Sequence, residues 1–259
     1  MTDDLLYDVR DGIARITFNR PQARNAFTFA MYERLAEICQ QAETDHSIKA
    51  MVLMGAGEKA FASGTDISQF KEFKTADDAI TYEGRIDRVV GTLERCRVPT
   101  IAAISGACTG GGGAIAAACD LRIAAANARF GFPVARTLGN CLSMGNYARL
   151  AALIGVAKTK EIIFTARLIE AEEARNLGLV SEVLPDHASL MTRADELAKH
   201  VASLAPLTLR ATKEAMHRLM PRIAAGEGQD LSLMCYMSAD FREGMDAFLN
   251  KRTPQWKGE

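Results

Sequence analysis

Paired cysteines and clustered histidines, the usual marks of a zinc site, are missing from this chain of 259 residues. Its six cysteines (Cys39, Cys96, Cys108, Cys119, Cys141 and Cys235) are widely spaced without a CxxC pair. Neither a metal site nor a disulfide framework is expected, and a reducing cytoplasm is the simplest setting. Net charge is also close to absent: 31 Lys and Arg stand against 32 Asp and Glu, with a pI near 6.5. There is therefore no electrostatic case for nucleic acid or an anionic membrane surface as partner. The N-terminal stretch "MTDDLLYDVRDG" is acidic and has no basic region ahead of an apolar run, so no secretory signal is expected. No fixed-period repeat and no low-complexity segment is visible.

One absence is local. From Leu121 to Lys160 there is no Asp and no Glu, while Arg122, Arg129, Arg136, Arg149, Lys158 and Lys160 all fall there. Any acid–base chemistry in that window must do without a carboxylate of its own. The segment just before it, Val98 to Cys119, carries no charge and is long enough to span a membrane. Pro99, Gly106 and the run Gly110 to Gly113 would leave backbone groups unsatisfied in lipid. It is read instead as a buried strand, a glycine loop and a buried helix.

What is present is an ordinary globular composition, 48% hydrophobic and 24% charged, sufficient for one large domain or a domain with an appendage. The start alternates around Asp11-Gly12, which predicts a hairpin. After a Thr28 cap, Met31, Leu35, Ile38 and Ala42 recur at helical spacing. "KAMVLMGAG" and "TIAAIS" read as buried strands, with an irregular loop near 67 to 80 and an amphipathic helix "YEGRIDRVVGTLERC" between them. "LRIAAANARFGF" suggests two short strands. Helices near 144 to 152, 158 to 164 and 170 to 176 follow, then a strand "LVSEVL". Strand and helix alternate, so the class is α/β. From about Asp186 onward only helical periods remain, punctuated by Pro206 and Pro221.

Two glycine loops, "KAFASGTDISQF" and "ISGACTGGGGAIAAACD", each begin just beyond a predicted strand. Small residues there let backbone N–H groups face outward, and such groups beside a helix N-terminus stabilise charge developing on a carbonyl oxygen. Tight turns alone also account for either loop taken singly. A phosphate cradle is not supported: there is no G-x-x-x-x-G-K-[ST], and "GACTGGGG" lacks the acidic residue expected of a dinucleotide site.

Taken together, "NRPQARNAF", "AFASGTDI", "SGACTGGGGAIAAACDLRIA", "EARNLGLVSEVLP" and "EGMDAFLNKRTPQWKG" resemble the enoyl-CoA hydratase/isomerase (crotonase) family, in that family's order and over essentially the whole chain. The resemblance implies a ClpP/crotonase-type α/β spiral of ββα units over residues 1–200. It also implies a helical region, 201–259, that completes the CoA pocket and forms a trimer or a dimer of trimers. It implies an acyl-CoA substrate with no resident cofactor, since coenzyme A arrives as part of the substrate, and no metal. The oxyanion N–H groups fall on Thr65 and Gly111. The CoA-lining segment falls on Ala62, Ser63, Gly64, Asp66, Ile67 and Ser68 around Thr65, with Arg24 placed to meet a phosphate and Phe248 and Lys251 placed near the nucleotide. Each has a plainer alternative: Arg24 as a solvated loop residue, Asp66 as a cap or ion-pair partner, Phe248 as an anchor of the last helix.

The family's two catalytic glutamates fall on Ala114 and, after the proline of "FGFPV", on Val134. Three readings follow. A carboxylate from elsewhere reaches in, Glu83 and Asp87 being the nearest guesses, although a solvated helix face explains them better. Alternatively, the oxyanion hole serves decarboxylation, thioester cleavage or C–C cleavage, with Arg136, Asn140, Cys141 and Ser143 as candidates for binding or relay; Cys141 is otherwise read as a buried small apolar residue. Or the chain binds CoA or RNA without chemistry, the RNA option being disfavoured by near-neutral charge.

Overall fold

A computed structural model describes residues 4–73, 75–220, 223 and 226–259. Strands β1 (Leu5–Arg10) and β2 (Ile13–Phe18) form the expected hairpin, Leu5 facing Phe18 and Arg10 facing Ile13. Asp11 and Gly12 take φ of 54° and 75°, the left-handed pair that a two-residue turn with the strands' own twist requires. Helix α1 (Phe29–Thr44) starts at Thr28, whose hydroxyl accepts from the Met31 amide.

A pattern then repeats three times. β3 (Ala50–Gly55) and the short β4 (Ala60–Ala62) lead to α2 (Ala76–Glu94). β5 (Thr100–Ile104) and β6 (Ala107–Thr109) lead to α3 (Gly111–Ala118). β7 (Leu121–Ala125) and β8 (Arg129–Gly131) lead to α4 (Val134–Thr137) and α5 (Met144–Phe164). Each turn adds one strand to each of two sheets, so the chain winds as a spiral of ββα units. β9 (Ile169–Glu170), α6 (Ala171–Asn176) and β10 (Glu182–Leu184) complete the sheets in the orders β1-β2-β3-β5-β7-β10 and β4-β6-β8-β9. Beyond the hairpin the large sheet is parallel throughout. This matches the expected α/β spiral. The three-residue strands β4 and β6 escaped the sequence reading because so short a pairing has no periodicity to detect.

Successive side chains of a strand face opposite sides, and the large sheet uses both. Met51, Leu53, Ala102, Ile104 and Ala124 join the main core with α1, α2 and α3, where Phe18 packs edge-on against Phe27 and Phe61. Ile13, Val52, Ile101, Ala103, Ile123 and Ala125 face the other way and are covered by Leu190, Ala194 and Ala198 of α7 (His187–Ala202). The first helix of the helical stretch is thus the outer wall of the sheet. Two helices expected near 144 to 152 and 158 to 164 are one run interrupted at Gly155, which takes a non-helical φ of 77°.

Helix α8 (Pro206–Leu219) buries none of its residues; Lys213 holds it to the core through a 2.6 Å ion pair with Asp120. Asp120 in turn accepts from the Thr100 amide and hydroxyl. Helices α9 (Gln229–Tyr236) and α10 (Ala239–Leu249) fold back, α9 lying against α2 and α10 against the 3-10 turn Ile67–Glu72. Arg122 is buried, and its guanidinium donates to the carbonyls of Ala116, Cys119 and Leu179, joining the end of α3 to the approach to β10. Among the described residues no helix is long and apolar enough to cross a membrane.

Candidate functional site

Three loops meet, at the C-terminal ends of β2, β4 and β6. The first is pinned by Asn25, fully buried and in the left-handed region at φ 55°. Its amide donates to the carbonyls of Ala56 (3.1 Å) and Ala60 (2.7 Å), and its oxygen accepts from the Arg20 N–H (3.0 Å). A buried amide so satisfied fixes the loop, because each broken bond would strand a polar group. Arg24, exposed and also left-handed, is tied to the second loop where the Ser63 N–H donates to its carbonyl. The segment Ala62 to Ser68 then runs beside Phe27, with Thr65 bridged to it. Asp66 accepts from Arg20 (2.9 Å) and caps the following turn through the Ser68 N–H and hydroxyl; these donors hold its carboxyl below the usual range against the opposing effect of burial. The cap and ion-pair alternative describes this geometry.

The third loop is the glycine run. Gly64 (φ 109°) and Gly110 (φ 53°) occupy backbone regions that L side chains avoid, and they touch: a Cβ on Gly64 would lie 3.8 Å from the Gly111 nitrogen. In the bridge to Phe27, the bonds use Gly64 and Asp66, leaving the Thr65 N–H turned away. The Gly111 N–H opens α3, where the first amides have no partner within the helix. Among the described residues neither N–H has an acceptor. Thr65 and Gly111, paired by sequence reading alone, therefore stand together with two free donors.

Beside them is a hydroxyl cluster that the sequence reading missed. The Thr65 hydroxyl lies 2.9 Å from those of both Tyr32 and Tyr82. Burial raises both tyrosines' pKa far above their normal range, so they stay neutral. Gly111 fits this cluster only as glycine, since a Cβ there would come within 2.0 Å of the Tyr32 hydroxyl. The signal available in the sequence was only that a Tyr hydroxyl, once buried, needs a partner.

At the positions expected to carry acids, Ala114 and Val134 are buried and apolar. Glu83 corrects the expectation of a solvated helix face. It is half-buried at the junction of α2, α9 and the segment Gly139–Ser143, with Oε1 accepting from the Tyr236 hydroxyl at 2.6 Å. Burial pushes its pKa up to about 7, with Asp87 adding to the rise and the Tyr236 bond opposing it. Asp87 is likewise raised by burial and accepts from the Ser143 hydroxyl at 2.6 Å. Asn140 donates to the Tyr236 hydroxyl at 3.2 Å, and its own oxygen is buried without a partner. Cys141 is half-exposed, which corrects its reading as a buried apolar residue: its thiol donates to the Leu231 carbonyl at 3.6 Å. Arg136 is exposed. A cavity of about 710 Å³ opens beside Glu83, Asp87 and Ser143, bounded on its far side by His217 and Arg218. Phe248 and Lys251 lie exposed at the end of α10, and among the described residues no hydrogen bond or ion pair joins them to Arg24 or the Thr65 loop. No cluster of three metal-ligating side chains occurs among the described residues.

The sequence profile of the enoyl-CoA hydratase/isomerase family matches residues 8–259. The short-chain-enoyl-CoA hydratase of Clostridium acetobutylicum is 36% identical, with 96% of each chain aligned. The 2,3-dehydroadipyl-CoA hydratase of Escherichia coli is 34% identical over 98% of this chain and 99% of its own. Among solved structures, an enoyl-CoA hydratase/carnithine racemase from Magnetospirillum magneticum superposes with a TM-score of 0.81 at 32% identity, covering 100% of this chain and 97% of that one. The spiral of ββα units, the paired glycine loops and this likeness along the full chain agree: the chain belongs to the enoyl-CoA hydratase/isomerase family.

Proposed function

We propose that this protein binds an acyl-CoA thioester and stabilises its enolate between the Thr65 and Gly111 N–H groups. The observation that carries the reading is the juxtaposition of two acceptor-free backbone donors, one of them opening a helix, on loops in direct contact. Donors fixed in this way are worth most where negative charge develops in the transition state. The CoA moiety runs along Arg24 and the Ala62–Ser68 segment, including Gly64, Asp66 and Ile67, with Phe248 and Lys251 near the nucleotide. Support comes from the Arg24–Ser63 tie and from the exposure of Arg24, Phe248 and Lys251.

Hydration of a 2-enoyl thioester needs a base for water and an acid for the neighbouring carbon. Ala114 and Val134 supply neither, and a positioned general acid or base contributes roughly 10²–10⁴-fold. Polarisation without water activation is therefore the expected competence of the Thr65–Gly111 pair, whatever name the relatives carry. The helical region serves assembly into a trimer or hexamer. The wholly unburied α8, with Leu207, Met216 and Leu219 outward, and the exposed Leu231, Met234 and Met237 support this. The six unpaired thiols suit a reducing compartment.

The test is optical. A conjugated aryl-enoyl-CoA should bind with a red-shifted absorbance, because hydrogen bonds to the thioester oxygen stabilise the polarised excited state. Binding without a shift would refute the oxyanion assignment, and failure to bind any acyl-CoA of a chain-length series would refute the thioester reading.

A further inference from the structure

Beside the glycine loops, three hydroxyls share two hydrogen bonds. Thr65 Oγ1 lies 2.9 Å from the phenol oxygens of both Tyr32 and Tyr82, and among the described residues the three hydroxyls have no further partner. Burial keeps both phenols protonated. Three protons thus serve two bonds, and one O–H donor is left over. Its place follows from burial: Tyr32 and Tyr82 are 0% and 9% exposed, whereas Thr65 is partly open. Were Thr65 to donate to either phenol, that phenol's own proton would be buried without an acceptor, which folding disfavours. The arrangement free of that cost has both phenols donating to the two lone pairs of Thr65 Oγ1. The uncommitted proton is then that of Thr65. With Cβ and two incoming donors around a tetrahedral oxygen, one direction remains for it, away from both rings. The hydroxyl is close to the two free N–H groups: covalent geometry keeps Oγ1 within about 4 Å of its own amide nitrogen. A Cβ added at Gly111 would stand 3.3 Å from it and 2.0 Å from the Tyr32 hydroxyl.

Resting on the thioester reading above, we infer that the Thr65 hydroxyl is a third donor to the thioester oxygen, engaged when that oxygen becomes an enolate. A carbonyl oxygen offers two lone pairs, and the Thr65 and Gly111 N–H groups fill them. An enolate oxygen carries a further lone pair and a full charge. A donor that meets its acceptor only in the enolate stabilises the reacting state without tightening the ground state, and that difference is what lowers a barrier. Tyr32 and Tyr82 are positioning residues: their bonds turn the Thr65 proton away from the rings and hold it there, so it need not reorient as charge forms. The device works without a side-chain acid, in keeping with Ala114 and Val134 at the positions where acids were expected.

The experiment uses the full-length protein with acetoacetyl-CoA, whose enolate absorbs apart from its keto form and whose ionisation needs no base from the protein. The ionisation constant of the bound probe, read from enolate absorbance against pH, reports enolate stabilisation, and butyryl-CoA affinity reports the ground state. Wild type should raise the probe's ionisation constant above its value in free solution. Thr65→Ala should lower the bound constant by at least ~10-fold while changing butyryl-CoA affinity by less than ~3-fold. Thr65→Ser, which keeps the hydroxyl, should stay near wild type. Because Thr65→Ala leaves two phenols without an acceptor, the combination of Tyr32→Phe, Thr65→Val and Tyr82→Phe removes all three hydroxyls and strands none; it should fold and show the same loss. Tyr82→Phe alone frees the Thr65 proton to turn and should fall between, and a wild-type constant there would refute the positioning role. A merely structural cluster would alter the amount of folded protein but not the ratio of the two readings. A red-shifted aryl-enoyl probe together with equal ionisation constants in wild type and the triple variant would overturn this inference alone. Failure to bind CoA esters, or a bound aryl-enoyl probe without its red shift, would remove the thioester reading and this inference with it.

Discussion

Replacing Glu83 with Gln should change how the protein's stability depends on pH. In the folded chain burial lifts this carboxyl to about 7 from an ordinary 4.5. The folded state therefore holds a proton that the unfolded state has released, between those two values. Stability contributed by that proton is complete below about pH 4.5, declines as pH rises, and is lost above about pH 7. At ~1.4 kcal/mol per pKa unit the full loss is roughly 3 kcal/mol, an upper bound because water in the neighbouring cavity screens part of the burial cost. Glutamine keeps the size and an acceptor for Tyr236 without the charge. Urea unfolding of wild type and Glu83→Gln at matched protein concentration, in half-unit steps from pH 5 to pH 8.5, should give a difference in unfolding free energy that moves toward the variant by ~2–3 kcal/mol across the range and flattens above pH 8. A constant difference would refute the reasoning, since it would mean that the carboxyl titrates normally. A difference moving toward wild type would mean that the carboxylate is stabilised by the fold, as in a salt bridge.

Gly111→Ala should destabilise by ~1–3 kcal/mol through its clash with the Tyr32 hydroxyl, whereas the next contacts of that Cβ, the Tyr32 ring and Thr65 Oγ1, are at 3.3 Å. Combining it with Tyr32→Phe should recover at least ~1 kcal/mol in a double-mutant cycle of unfolding energies, and additivity would show that the clash is relieved elsewhere. Hydration of crotonyl-CoA by wild type, followed by loss of enoyl absorbance, should be far slower than a two-carboxylate site gives. Ala114→Glu and Val134→Glu, placed in buried apolar positions, should lower stability without restoring fast turnover, and near-diffusion-limited hydration by wild type would contradict the proposed chemistry. Asn25→Ala should cost ~2–3 kcal/mol by stranding the Ala60 carbonyl and the Arg20 amide, read by thermal or urea unfolding, and a neutral result would mean that water replaces the side chain.

The frame of this fold was legible where periodicity is strong or turn chemistry is specific: the Asp11-Gly12 hairpin, the Thr28-capped helix, and the buried strands around Val52 and Ile101. The two glycine loops were legible as a pair through their family resemblance, but the strands that bring them into contact at Gly64 and Gly111, β4 and β6, were too short to read. What stayed hidden depends on distant meetings. Tyr32, Tyr82 and Thr65 come from three separate elements, and only the fold brings their hydroxyls together. Glu83 looked like one more charge on an amphipathic helix because nothing nearby in sequence reveals that α9 and the Gly139–Ser143 segment will close over it. Local patterns report which face of an element is apolar; they do not report what arrives to cover the edge of that face.

Helix α3 offers one more consequence. It is only about 12 Å long, from eight residues at ~1.5 Å each. Its last carbonyls are held by the buried guanidinium of Arg122, while its first turn is wedged: added carbons at Gly112 and Gly113 would strike Ala62 at 2.3 Å and Phe132 at 2.9 Å. A cation at the C-terminal end favours the helix dipole, and a rod jammed at one end and clamped at the other cannot swing to meet a ligand. The peptide dipoles that point at Gly111 are thus aligned while the protein folds. In the reaction proposed above, an enolate oxygen forming there would find its electrostatic environment already set, the work of orienting those dipoles having been done once, at folding.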